Sequence, residues 1–159
     1  TELLVTGRSQ LGISYQKVHP QREIVARSLG EVSMPLVVSS DHPLAHKQPL
    51  READLHGARQ LMVTGRREGT ERQRFRFSAQ VWWVEGDFGV LELVKRGLGW
   101  AAIPAFLIHQ PLARKEVVVL APDFIASHEL ALELQWHRAR PLGPAGRWLK
   151  EALLARVPR

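Results

Sequence analysis

The stretch from Val84 to Pro104 constrains the fold more than any other part of the chain. Val90, Leu91, Val94 and Leu98 follow helical spacing, so one face of a helix is apolar. Lys95 and Arg96 fall in its last turn, where cations suit the negative end of the helix dipole. Gly97 is placed to close the helix, since glycine takes the left-handed conformation without a Cβ penalty. Trp100 to Ile103 is then a short buried run, and Pro104 ends it or opens the next helix at its first position. Gly97-Leu98-Gly99 resembles half of a dinucleotide fingerprint, but that motif runs strand, glycines, helix and needs a third glycine. Here the order is reversed and Ala102 stands where the third glycine would fall, so close helix–strand packing is the expected role.

Taken in order, the rest of the chain alternates between the two periods. Glu2 to Thr6 predicts a buried strand running into Gly7, Gly12 to Val18 a short strand or loop, and Arg22 to Leu29 an imperfect alternation interrupted at Gly30. Met34 to Ser39 is apolar and β-branched, hence a strand. A turn follows at Ser40 to Ala45, then a short helix from Pro49 to Gly57 with Leu50, Ala53 and Leu55 on its apolar side. Gln60 to Thr64 reads as a strand, 66–76 as an exposed basic loop, and Ser78 to Val84 as a strand carrying Trp82 and Trp83. Beyond Pro104 the pattern predicts a helix at Ala105 to His109 and strands at Val117 to Leu120 and His128 to Trp136. A last helix follows, with Trp148, Leu149, Ala152, Leu153 and Val157 on its buried face. Strands alternating with helices imply an α/β fold with mostly parallel pairing.

Composition narrows the function. A chain of 159 residues with 45% hydrophobic and 24% charged residues is globular, and suits one domain or two small lobes. No apolar run approaches the ~20 residues of a membrane span. Cysteine is absent, which removes disulfides, thiolate metal ligands and a cysteine nucleophile, and fits a reducing cytosol. The net charge of +6 is spread along the chain, as for a solvated basic surface rather than a nucleic-acid arm. His42 and His46 have the i,i+4 spacing of zinc ligands, but Pro43 disfavours a helix there and no metalloprotease glutamate follows. No serine sits in Gly-x-Ser-x-Gly, so a hydrolase elbow has no support. The five tryptophans lie in apolar settings and are expected mostly in the core. Trp82 and Trp83, being adjacent on a strand, must face opposite sides, so one of them needs a second apolar surface.

Three segments in order carry a resemblance: Ser39-Ser40-Asp41-His42-Pro43-Leu44-Ala45, then Leu93 to Pro104, then Leu142-Gly143-Pro144-Ala145. Together they resemble the effector-binding domain of LysR-type transcriptional regulators over essentially the whole chain. The resemblance implies two Rossmann-like lobes joined by two crossover strands, as in type 2 periplasmic binding proteins, with a small effector in the cleft. It implies that residues 1–38 belong to lobe I, 39–132 to lobe II and 133–159 to the return into lobe I, with crossovers near Val38 to Ser40 and Leu132 to Leu134. It further implies a winged helix-turn-helix, a linker helix and the start of lobe I ahead of Thr1, so that DNA is met only through that segment. A homodimer or homotetramer, a cytoplasmic location, and no membrane partner, cofactor or metal complete the expectation. The rival readings are a solute-binding protein with the same lobes, and an enzyme on this fold, for which no nucleophile–base pair or metal cluster is present.

The candidate site follows from strand ends. Thr6-Gly7 and Thr64-Gly65 each close an expected strand, and ligands in open α/β sheets bind beyond carboxyl ends. The alternative for either pair is simply a strand and a turn glycine. Gly86-Asp87-Phe88 opens the organising helix, whose free N–H groups suit an anion, although Asp87 as N-cap would consume those donors and Phe88 as core would take no ligand. Arg8 and Arg66 adjoin the two threonines and favour a polar organic anion, while Glu85 and Asp87 favour one that also carries a donor group.

Overall fold

The computed structural model describes residues 2–16, 21–64, 76–125 and 128–157. They form two compact units, Thr1–Val32 with Glu129–Arg159, and Ser33–His128. The chain thus passes from one unit to the other nearer its start, at both crossings, than the Val38 to Ser40 and Leu132 to Leu134 positions suggested by sequence. Val38 and Ser39 are already paired inside the second unit, and Leu132 and Leu134 inside the first.

The first unit holds α1 (Glu2–Val5), β1 (Leu11–Tyr15), most of β2 (Ile24–Met34), β8 (His128–His137) and α5 (Pro144–Leu154). Its sheet has the order β1-β8-β2, with β1 antiparallel to β8. The expected strand at Glu2 to Thr6 is a helix. Leu3, Leu4 and Val5 are apolar, but a short apolar run has no period of its own, and Leu4 alone is buried. Gly30 does not end β2: at φ 103° it carries the strand through a conformation that a side chain would resist. The apolar face of α5 is not buried in this chain, since Trp148 is 70% exposed and no residue of the helix is buried.

The second unit contains β3 (Leu36–Ser39), a 3-10 turn (Pro43–His46), α2 (Glu52–Gly57), β4 (Gln60–Val63), β5 (Val81–Val84), α3 (Gly86–Lys95), β6 (Ala101–Ala102), α4 (Ala105–Ala113) and β7 (Val117–Leu120). Strand β3 is antiparallel to both β6 and β7, while β4 and β5 are parallel. A parallel bridge between Gln60 and Trp100 joins the two sheets. Its hydrogen bonds run from Trp100 N–H to Arg59 O at 3.0 Å and from Leu61 N–H to Trp100 O at 2.8 Å. The order is therefore β5-β4-β6-β3-β7. Parallel pairing, expected for most of the sheet, is confined here to β5, β4 and β6, because β3 enters against their direction.

Alternation along β3 sorts the core into two layers. Val37 joins Leu61, Val90, Leu91, Val94, Ile103, Ile108 and Val117 beneath α3 and α4. Leu36 and Val38 join Leu44, Leu55, Trp100 and Leu120 on the other face. Trp100 is fully buried, and its indole N–H donates to Leu55 O at 3.2 Å. The other tryptophans correct the expectation of core positions: Trp82 and Trp83 are 45% and 46% exposed and Trp136 is half-buried. The Arg59 guanidinium lies 4.0 Å from the centre of the Trp82 ring.

Helix α3 ends as its sequence dictates. Gly97 sits at φ 72°, its N–H donates to Val94 O at 2.8 Å, and Leu98 N–H reaches Leu93 O at 3.2 Å. These are the two bonds of a Schellman cap. Gly99 serves a different need. A Cβ there would collide with the Arg59 carbonyl, so the close approach is to the start of β4 rather than to a helix.

Candidate functional site

Three parallel strands place their carboxyl ends along one edge of the second unit. Val63 is level with Val84 in the β4–β5 register, and β6 runs the same way beside β4. Thr64 leaves β4 at that edge. Both its N–H (2.8 Å) and its hydroxyl (3.2 Å) donate to Val84 O, which ties it to the end of β5. The hydroxyl proton is thereby used, and the oxygen keeps its acceptor capacity. Gly65 and Arg66 lie outside the described residues.

At the end of β5 the chain turns through Gly86 at φ 74° into α3. Open space surrounds the place where a Gly86 Cβ would stand, so backbone conformation rather than crowding calls for glycine here. Glu85, not Asp87, occupies the N-cap, and it makes no side-chain cap bond. Asp87 lies inside the first turn, where its charge complements the positive helix end. Phe88 is 73% exposed, contrary to a core role. Gly89 lets α3 start close to its strand, since a Cβ would stand 3.0 Å from Val84 Cγ1.

The third strand end closes the run Trp100 to Ile103, which the sequence predicts as a buried segment ended by Pro104 and not as part of the site. Ile103 and Pro104 are buried after β6, and Pro104 is the N-cap of α4. The run Ala101 to Pro104, followed by α4, has the same strand-then-helix order as β5, Gly86 and α3.

Thr6 and Gly7 belong to the other unit and close a helix instead of a strand. The Thr6 hydroxyl donates to Glu2 O at 2.9 Å. Arg140 Nη1 donates to Leu4 O at 3.1 Å, and its guanidinium fills the space that a Cβ at Gly7 would need. Gly7 is at φ 76°.

The histidine pair resolves as a turn. His42 Nδ1 accepts from Leu44 N–H at 3.1 Å and caps the 3-10 turn opened by Pro43. Burial holds the His42 pKa below its ordinary value. Among the described residues no group of three or more His, Cys, Asp or Glu is placed to hold a metal, and no helix is long and apolar enough to cross a membrane. A groove of about 620 Å³ lies between Leu44 to Leu50 and Val119 to Asp123. It holds none of the three parallel strand ends, and Lys47 beside it is paired with Asp54.

A two-unit α/β chain with this sheet order has the type 2 periplasmic-binding-protein-like fold. Solved regulatory domains share it. The chain overlays 98% of its length on 77% of the CcmR regulatory domain of Synechocystis PCC6803, solved in complex with 2-PG, with a TM-score of 0.76 and 14% identity. It overlays 98% of its length on 75% of the effector-binding domain of QuiR, solved in complex with shikimate, with a TM-score of 0.76 and 19% identity. The family model described as the LysR substrate binding domain matches residues 1–158, and the chain belongs to that family. It is 29% identical over 151 residues to the HTH-type transcriptional regulator AceR of Acinetobacter baumannii, a match over 93% of this chain. The chain spans about half the length (50%) of that curated relative.

Proposed function

We propose that this substrate-binding domain senses a small polar organic anion at the carboxyl edge of its second unit, and that the effector acts by favouring one arrangement of the domain over another. Its work is binding, without catalysis, cofactor or metal, in a cytoplasmic regulator. DNA is met by a separate segment of the intact protein, which assembles as a homodimer or homotetramer. The carrying observation is the Thr64 turn tied to Val84 beside the Gly86 turn, where two parallel strands end level. Thr64, Gly65, Gly86, Asp87 and Phe88 are the proposed contacts. Thr6 and Gly7 end a helix of the other unit, so the strand-end argument does not extend to them. Shikimate and 2-PG, found with the two structural neighbours, support a small anion.

The test is calorimetry on the full-length protein with the tightest ligand from a panel of small organic acids. Thr64→Val keeps the shape and removes the hydroxyl, and is expected to weaken binding by about 1 kcal/mol, the worth of an ordinary hydrogen bond. Unchanged affinity at an unchanged melting temperature counts against the site.

A further inference from the structure

We infer that the outer edge of β7, with the groove beside it, is a docking site for an extended peptide segment of a partner, one that carries apolar side chains and a basic residue. This surface is separate from the proposed effector edge, since the groove holds none of the three parallel strand ends.

The backbone pattern comes first. In an antiparallel pair, successive residues alternate between bonding the partner strand and turning away from it. Ser40 N–H donates to Glu116 O at 3.2 Å, and the register continues with Val38 opposite Val118 and Leu36 opposite Leu120. Those positions bond β3, so Val117 and Val119 turn their N–H and C=O groups away from it. Strand β7 ends the sheet order. Val117 is covered, with 1% exposure, whereas Val119 is 44% exposed, so the edge opens from Val119 onward. Among the described residues no hydrogen bond takes up the outward groups of Val119. The strand reads Val-Val-Val-Leu, without the charge or proline that usually guards an open edge.

The groove supplies the rest. Val119 and Leu120 point to opposite faces of the sheet, yet both line the groove of about 620 Å³, so it opens along the edge of the strand. Its far wall runs from Leu44 to Leu50 and is apolar at Leu44, Pro49 and Leu50. An extended chain laid there bonds Val119 through its own backbone and sets alternate side chains against that wall, which is recognition by strand addition. Charge completes the description of the occupant. Lys47 in the wall is already paired with Asp54. Asp123 closes one end of the groove, and no described group pairs with its carboxylate. The unmatched charge is negative, so the segment that fits carries a lysine or arginine at that end.

The probes are two dye-labelled peptide amides, Thr-Val-Thr-Val-Lys and Thr-Val-Thr-Val-Glu, titrated with the full-length protein and followed by fluorescence anisotropy. The lysine peptide should bind about threefold more tightly than the glutamate peptide, the scale of an exposed ion pair, and Asp123→Lys should invert that order. Strand addition uses only every second peptide N–H. N-methylation of one alternate set in the lysine peptide should therefore weaken binding about tenfold, and N-methylation of the other set should change it little. Val119→Pro removes one outward donor, leaves the β3 ladder intact and should weaken both peptides. Failure of the lysine peptide to bind overturns the inference. So does an equal loss from both methylated sets, or an order of affinities that Asp123→Lys leaves unchanged at an unchanged melting temperature. If the lysine peptide does not bind and Val119→Pro dissociates an oligomer in sedimentation, the occupant is a second copy of the chain and the peptide inference falls.

Discussion

Two glycines two positions apart show how differently one residue type serves the fold. Gly97 has open space around it and a φ of 72°; Gly99 has an ordinary backbone and no space, because Arg59 O occupies it. Gly97→Ala is expected to cost about 1 kcal/mol through left-handed strain, with Gly97→Asn costing less. At Gly99 the order reverses: alanine costs about 1–3 kcal/mol by overpacking a backbone carbonyl, and asparagine costs more. Urea unfolding of the four variants reads this directly, and equal losses at both sites would sink the distinction. His42 gives a second residue-scale expectation. Its neutral imidazole accepts the Leu44 N–H, and burial depresses its folded pKa below the unfolded value near 6.5. The contribution is therefore fully present above about pH 6.5 and is lost as pH falls through the depressed folded pKa. His42→Asn keeps a capping acceptor and should flatten this part of the stability–pH curve between pH 7 and 5. An unchanged slope would show that the proton sits elsewhere.

At the scale of elements, the β4–β5 pairing depends on one buried amide. Gln60 Oε1 accepts from Phe77 N–H at 2.9 Å and Ser78 N–H at 3.1 Å, and the Ser78 hydroxyl donates to Ala58 O at 2.7 Å. Gln60→Leu leaves two N–H groups without that acceptor and is expected to cost about 2–3 kcal/mol, measurable as a shift in the thermal midpoint; a neutral outcome would mean that the segment before β5 re-pairs. Sequence periodicity located β4, β5 and α3 but was silent on Gln60, since a polar residue opening a strand looks like an exposed end. The same limit explains the two tryptophans that looked alike. Trp100 and Trp148 both sit in apolar patterns, yet one is fully buried and the other 70% exposed. Period states that a face is apolar and not what covers it. Trp100→Ala should cost about 3–5 kcal/mol, and Trp148→Ala should stay within about 0.5 kcal/mol. The strand ends at Thr64 and Gly86 were legible because each closes a strand of its own pattern. Thr6 was read as a strand end because Leu3-Leu4-Val5 has no period, whereas the segment is a helix.

For the whole molecule, the net charge of +6 invites a DNA-binding reading that its distribution does not support. Binding of this chain to any duplex is expected to be weak, blind to sequence and lost as salt rises, because only phosphate contacts are on offer; salt-resistant binding to one duplex would refute this. The exposed apolar surface leads to a stronger expectation. Strand β5 ends the sheet order, and among the described residues nothing pairs with its outer edge. Trp82 and Trp83 lie on opposite faces of this strand, and both stay nearly half exposed. The Arg59 guanidinium covers part of Trp82 and leaves Trp83 to solvent or to a partner. Tryptophan is the residue most able to anchor an interface, and two of them on one open edge form a surface suited to a second copy of the chain. Sedimentation at high micromolar concentration should show a dimer. The double change Trp82→Ser and Trp83→Ser should return it to monomer with little loss of stability, since neither ring lies in the core. A strict monomer for the parent chain, or a dimer that persists in the double variant, would remove β5 as the contact.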